Sequence, residues 1–205
     1  MIKKSVKKAI DKGIKDVWLE NICADYGKGL LIKEASLQCA LYHHLRLRLA
    51  GILEENSLYL YPEFYFRDLK YRADLVIAEM NMNMPSAYLS DRVTDLAAVI
   101  ELKYDGGNAK STENYIKSDM PKLRQYFQRL PYDCQLYFGV IYETECEWLH
   151  WFDKRTTRNW GNGRLTELNA GRVNGEMIFE VNSYNGTNDA NKTKKCDIGF
   201  CENCT

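Results

Sequence analysis

Apolar positions along the chain keep two different periods. From Leu30 to about Leu49, the residues Leu30, Leu37, Leu41, Leu45 and Leu49 recur at spacings of four and seven, which predicts a helix with one buried face. That helix ends at Gly51 or a few residues later. Residues 1–20 read as a lysine-rich helix, broken near Gly27 and Gly29. Beyond Gly51 the period shortens. Ser57 to Phe66 is rich in Tyr, Phe and Leu and has the length of a strand, with Pro62 arguing for an edge position or a bulge. A second strand is expected over Tyr71–Ala78. After a loop with Asn81, Asn83 and Pro85, a third covers Leu96–Tyr104 and stops at Gly106 and Gly107.

The helical period returns from Thr112 to Leu130, where Ile116, Met120, Leu123, Phe127 and Leu130 form a stripe that Pro131 breaks. Strands are expected over Gln135–Tyr142 and Glu147–Phe152. Leu165–Val181 reads as a hairpin turning at Asn174-Gly175. After Ser183 the chain is polar and is expected to fray, so 184–205 reads as a flexible, Cys-containing tail on a single domain spanning 1–183. The order helix, three strands, helix, strand predicts an α/β fold: a mixed β-sheet flanked by helices (αβββαβ) over roughly 30–142, with extra C-terminal strands.

Lys+Arg and Asp+Glu balance at 28 each, which excludes a wholly basic nucleic-acid coat protein but not a local binding face. Between Met1 and Lys15 six lysines meet one acid, Asp11. They read either as a solvated helix face or as an arm that contacts phosphates. No apolar run is long enough to span a membrane, and the N-terminal lysines precede no apolar segment of a secretory leader. With seven cysteines and no export signal, reduced thiols in a cytoplasmic setting are expected.

Three charged residues stand where a strand is normally apolar. Asp74 sits between Tyr71-Arg72-Ala73 and Leu75-Val76-Ile77. Glu101 and Lys103 follow Val99-Ile100 and, two apart, point to one face. A carboxylate buried in a strand is costly unless it is paired or binds a cation, and two converging from adjacent strands make a hard oxygen site suited to magnesium. A nearby lysine can hold an attacking water or balance charge growing on a phosphorane-like transition state. The bland reading of Glu101-Leu102-Lys103 alone is an ion pair at a strand end.

Ala73-Asp74 followed after 27 positions by Glu101-Leu102-Lys103 resembles the signature of the PD-(D/E)XK, or restriction-endonuclease-like, nucleases, with alanine in place of the proline of the family name. The resemblance lies in motif and element order rather than extended sequence. It implies a restriction-endonuclease-like core and a magnesium-dependent hydrolase of nucleic-acid phosphodiesters, with manganese as a substitute ion. It further implies that Asp74 and Glu101 bind the metal, joined by the Leu102 backbone carbonyl, while Lys103 positions the water. DNA is the expected substrate ahead of RNA, no membrane partner is expected, and a homodimer would let one site per chain cut both strands. The alternative is a catalytically inactive nuclease-like domain that binds nucleic acid or a protein partner.

Glu34 falls on the same helical stripe as Leu30, Leu37 and Leu41, so it needs a partner, either the metal site or a neighbouring Arg or Lys. The family often carries a glutamate on its first core helix, and Glu34 matches. Glu63, beside Pro62 and in parity with Tyr59, Tyr61 and Tyr65, is a weaker metal-ligand candidate. The second core helix offers Asp119, Lys122, Gln125 and Tyr126. Lys122 and Tyr126, one turn apart and off the Leu123 stripe, are substrate-binding candidates, with a solvated face as the equal reading.

Other signals are weaker. Cys196, Cys201 and Cys204 cluster without a second pair, so structural zinc needs Cys134 or Cys146 as a fourth ligand. His43 and His44 cannot face one metal together, and with only His150 besides, a histidine-centred site is poorly supplied. No glycine-rich phosphate loop occurs. The loop from Glu79 to Asp95 and the region after Pro131 are expected to shape specificity.

Overall fold

The computed structural model describes residues 1–106, 118–147, 149–152, 163–184 and 192–196. The N-terminal helix runs further than expected. Helix α1 (Lys4–Val17) passes through one wide π-helical turn (Trp18–Ile22) into α2 (Cys23–Gly27) without a break, and the chain turns only at Gly29, whose φ is +71°. The next helix starts later. Leu30 is 59% exposed and lies outside α3 (Glu34–Arg48), because Ser36 Oγ accepts the N–H groups of Ile32 and Lys33 and caps the helix there. Leu37, Leu41, Leu45 and Leu49 are buried as the period predicts, and a short α4 (Ala50–Glu55) carries the chain past Gly51.

Seven strands follow: β1 (Leu58–Phe66), β2 (Tyr71–Met80), β3 (Val93–Asp105), β4 (Gln135–Glu145), β5 (Leu165–Val173), β6 (Glu176–Ser183) and β7 (Lys192–Lys195), with α5 (Met120–Arg129) between β3 and β4. They form one mixed sheet in chain order, parallel at β3–β4 and β4–β5 and antiparallel elsewhere. The fold is therefore α/β, a seven-stranded mixed sheet flanked by helices. Of the expected 112–130 helix, residues 112–117 lie outside the described residues, and Ser118 and Asp119 form a turn, so the helix begins only at Met120, where Pro121 fits its first turn.

Each face of the sheet carries its own core. Trp18, Leu37, Leu41 and Leu45 from the helices before β1 pack with Leu75, Ile77, Ile100 and Leu102. On the other face Leu123 and Tyr126 of α5 pack with Val76, Val99, Phe138 and Val140. Cover on both faces explains why β2 and β3 read as nearly continuous apolar runs. β1 closes one edge, which is where Pro62 is tolerated. The predicted hairpin is β5–β6, with Asn174 (φ 52°) and Gly175 (φ 78°) in the left-handed conformations its tight turn requires.

Two expectations for the C-terminal part are corrected. Among the described residues, 149–152 form no strand. Leu149 and Phe152 are buried in a loop, and the N–H groups of Trp151 and Phe152 go to Glu167 Oε1 at 2.8 and 3.0 Å. Within the supposed frayed tail, Lys192–Lys195 pairs with β6 as an edge strand. The N-terminal lysines divide. Lys3, Lys4, Lys8 and Lys12 are exposed, but Lys15 is buried on Asp11 (2.7 Å) and Lys7 is buried between Asp133 (2.7 Å) and Asp95 (3.7 Å). Among the described residues no helix is long and apolar enough to cross a membrane.

Candidate active site

Three antiparallel strands bring the strand-borne acids into a row. β2 pairs with β3 at Leu75–Ile100, so the next residues along, Asp74 and Glu101, lie side by side where the paired ladder ends. Just past them the Leu102 N–H donates to Asp74 Oδ2 at 2.5 Å, so a side chain takes over from backbone pairing. Glu63 stands opposite Asp74 on β1, between the pairs Pro62–Leu75 and Phe64–Ala73. Its backbone has φ 54°, an uncommon conformation for a side-chain-bearing residue.

Glu101 is fully buried. Its Oε2 accepts from Lys122 Nζ at 2.6 Å, while Oε1 is buried and closes no hydrogen bond. Burial raises the Glu101 carboxyl to about 8, with the Asp74 charge adding and Lys122 opposing. Asp74 rises to about 6, again chiefly through burial, with the Leu102 N–H opposing and Glu34 adding. Both shifts express the cost of placing carboxylates where water is scarce.

Lys103, 7% exposed, extends between two helices. Its ammonium lies 2.8 Å from Asp119 Oδ2, just ahead of α5, and 3.3 Å from Glu34 Oε2, in the first turn of α3. Among the described residues the cluster holds four carboxyl groups (Asp74, Glu101, Glu34 and Asp119) and two ammonium groups (Lys103 and Lys122).

The structure brings together five of the residues singled out from the sequence: Asp74, Glu101, Lys103, Glu34 and Lys122. The reason offered for Glu34 needs amending, since Leu30 is outside the helix and the Glu34 side chain is 35% exposed. Glu63 is close by in register, but its half-exposed carboxylate engages Gln38 (2.8 Å) and Arg72 (3.3 Å). Gln38 also donates to the Asp74 carbonyl at 2.8 Å, and so ties the first helix to β2 at the site. Leu102 sends its side chain into the helix-covered core, and its backbone lies between Glu101 and Lys103.

Tyr126 is the clearest correction. It is fully buried beside Leu123, not on a face open to substrate, because positions three apart on a helix share a side. Its hydroxyl is beside Glu101 without closing a hydrogen bond of ordinary geometry, and burial followed by the Glu101 charge raises the phenol well above its usual range. Two participants were not singled out as site residues, Asp119 and Gln38. Asp119 had a signal, an acid just before a helix start with Pro121 in the first turn. Gln38 had one too, standing a single turn after Glu34.

Among the described residues no three His, Cys, Asp or Glu side chains are already gathered as a ligand set for a metal. His44 is satisfied by Asp25 at 2.7 Å. Cys196 Sγ approaches the Cys23 carbonyl at 2.9 Å, whereas Cys201 and Cys204 lie outside the described residues, as does any zinc site that uses them.

A cavity of about 910 Å³ is lined in part by Phe66, Tyr71, Gln125 and Arg129, and none of the charged residues of the cluster lines it. Ser90 and Asp91, from the loop expected to shape specificity, also line it, whereas no residue after Pro131 does. The Tyr126 ring joins cavity to cluster, with its centroid 5.3 Å from Phe66 and 6.3 Å from Tyr71. No protein-family model, curated protein or solved structure matches the chain, so the reading of this site rests on its geometry and chemistry.

Proposed function

We propose that this chain is a divalent-metal-dependent nuclease that hydrolyses phosphodiester bonds of DNA, with a PD-(D/E)XK-type core built from α3, β1–β3, α5 and β4. The observation that carries this reading is Glu101: a fully buried carboxylate, beside Asp74, with one oxygen on Lys122 and the other closing no well-formed hydrogen bond, though the Tyr126 phenol lies beside the group. A buried acceptor left unsatisfied is expensive, and a hard cation removes the cost. On this ground the residues fit magnesium or manganese, held by Asp74 and Glu101 with the Leu102 carbonyl nearby.

A bound ion there would supply a polarised phosphoryl oxygen and a water acidic enough to attack near neutral pH. The chain does the rest. Asp74 is fixed by the Leu102 N–H and Glu101 by its place in the sheet, side by side on β2 and β3. Lys103 places its ammonium where it can orient the attacking water and offset charge growing on the phosphate. Glu34 and Asp119 hold that ammonium from two helices, so that it need not be reoriented during the reaction.

The test is incubation with plasmid and single-stranded substrates in magnesium, manganese or chelator. Cleavage is expected with either ion and not with chelator. Asp74→Ala, Glu101→Ala and Lys103→Ala should each lower the rate by about 10²-fold or more while keeping the circular dichroism of the parent. Near-parental turnover in any of the three, or binding of DNA by the parent with no cleavage under any ion, refutes the assignment.

A further inference from the structure

The contact between α5 and β3 raises a question that the nuclease reading leaves open. Lys122 Nζ sits 2.6 Å from Glu101 Oε2, on a carboxylate with no exposure of its own, and the lysine side chain is itself only 17% exposed. The ammonium therefore stands where a second cation would have to approach. An ion bound through the other oxygen, Oε1, would lie a few ångströms from that ammonium. Little water separates them, so their repulsion is weakly screened. Lys103 does not share this conflict, because its ammonium is held by Glu34 and Asp119 rather than by Glu101.

We propose that Lys122 is an intramolecular competitor for the divalent cation: its ammonium fills in for the ion at Glu101 and swings away when the ion binds. This inference rests on the metal-dependent reading of the site and concerns how that site is loaded. In the metal-free protein the pair gives Glu101 a countercharge whenever its buried carboxyl is ionised. On loading, Glu101 exchanges one positive partner for another, and the freed ammonium, on the first turn of a helix flanking the cavity, becomes available to a substrate phosphate. Lys122 is thus a positioning residue in the empty site and a substrate contact in the loaded one. The neighbouring phenol of Tyr126, buried beside the same carboxylate, stays with Glu101 when the lysine leaves.

Displacement can be read without any turnover. Acetylation of lysines in the parent protein, followed by peptide mass spectrometry, reports how accessible each amine is. Lys12, whose side chain is 74% exposed, serves as the internal reference. Lys122 should be slow in chelator and at least about fivefold faster, relative to Lys12, with saturating manganese. A Lys122 that is equally or better protected with manganese overturns the proposal.

Calorimetric titration with manganese gives a second, independent reading. Lys122→Gln keeps an N–H donor toward Glu101 but removes the competing charge. It should bind manganese about tenfold more tightly than the parent, and equal or weaker binding overturns the competition. If the parent and the variant both bind no manganese or magnesium, the metal-dependent reading falls together with this one. If both bind equally well, only the competition falls.

Discussion

Asp74 and Glu101 are acids inside strands that are otherwise apolar, and their environment makes a testable statement about pH. The folded-state pKa of Glu101, about 8, lies above its ordinary value near 4.5, and Asp74 is raised to about 6. Between the ordinary and the raised values the folded chain holds protons that the unfolded chain has released. Stability of the metal-free protein therefore falls as pH rises through that window, by about 1.4 kcal/mol per pH unit for each proton involved. The two carboxyls interact, so the fall belongs to the pair. Glu101→Gln should flatten most of it. Urea denaturation in chelator at pH 5 and pH 8 measures the effect, and equal slopes for parent and variant would show that Glu101 does not carry it. These residues were legible in the sequence because a charge amid Val, Leu and Ile stands out. Their partners were not. The contacts Lys103–Asp119 and Lys122–Glu101 join residues 16 and 21 positions apart, and only the packing of α5 against the sheet creates them.

At the level of elements, β3 and β4 set the site's geometry through a close approach. A methyl group added at Gly139 on β4 would come within 2.7 Å of Leu102 Cδ2 and 3.5 Å of the Trp18 ring. Leu102 lies between Glu101 and Lys103, and Gly139 is its register partner. Gly139→Ala should therefore cost about 1–3 kcal/mol of stability by overpacking and displace Glu101 and Lys103 together. Thermal unfolding and nuclease rate should both suffer, and a variant matching the parent in both would contradict this account. Elements with a strong period were predicted well: the buried leucines of α3, strands β1 to β4, and the Asn174-Gly175 hairpin. Errors arose where local pattern and context conflict. Leu149–Phe152 is apolar enough for a strand, yet it is a loop whose N–H groups bond a buried Glu167 side chain. Lys192–Lys195 is too polar to suggest a strand and becomes one only because β6 offers it an edge.

Across the whole molecule, the N-terminal helix is fastened to the start of β3 and to the segment before β4. Lys7, 7% exposed, reaches Asp95, Asp133 and the Leu96 carbonyl, while Asp95 also accepts the Ile2 N–H at 2.9 Å. Lys7→Met strips a buried acid of its countercharge and should cost about 3 kcal/mol. Lys12→Met, which removes an exposed pair with Asp16, should cost under about 0.5 kcal/mol. Chemical denaturation of the two variants side by side tests the contrast, and equal losses would mean that Lys7 is not a structural anchor. Half of what the sequence left open about the lysine-rich N-terminus is answered here: Lys7 and Lys15 belong to the interior, and the four exposed lysines remain for solvent or a partner.

Period and composition were enough for the leucine face of α3, strands β1 to β4, the β5–β6 hairpin, and the charged trio on β2 and β3. Each of these is written in neighbouring residues, through side-chain alternation and turn chemistry. Which lysine meets which carboxylate, that Tyr126 is interior, and that the C-terminal lysines close the sheet are different in kind. They depend on contacts between distant segments, whose energies come from burial and from charges brought together out of water. Such terms exist only once the chain has folded.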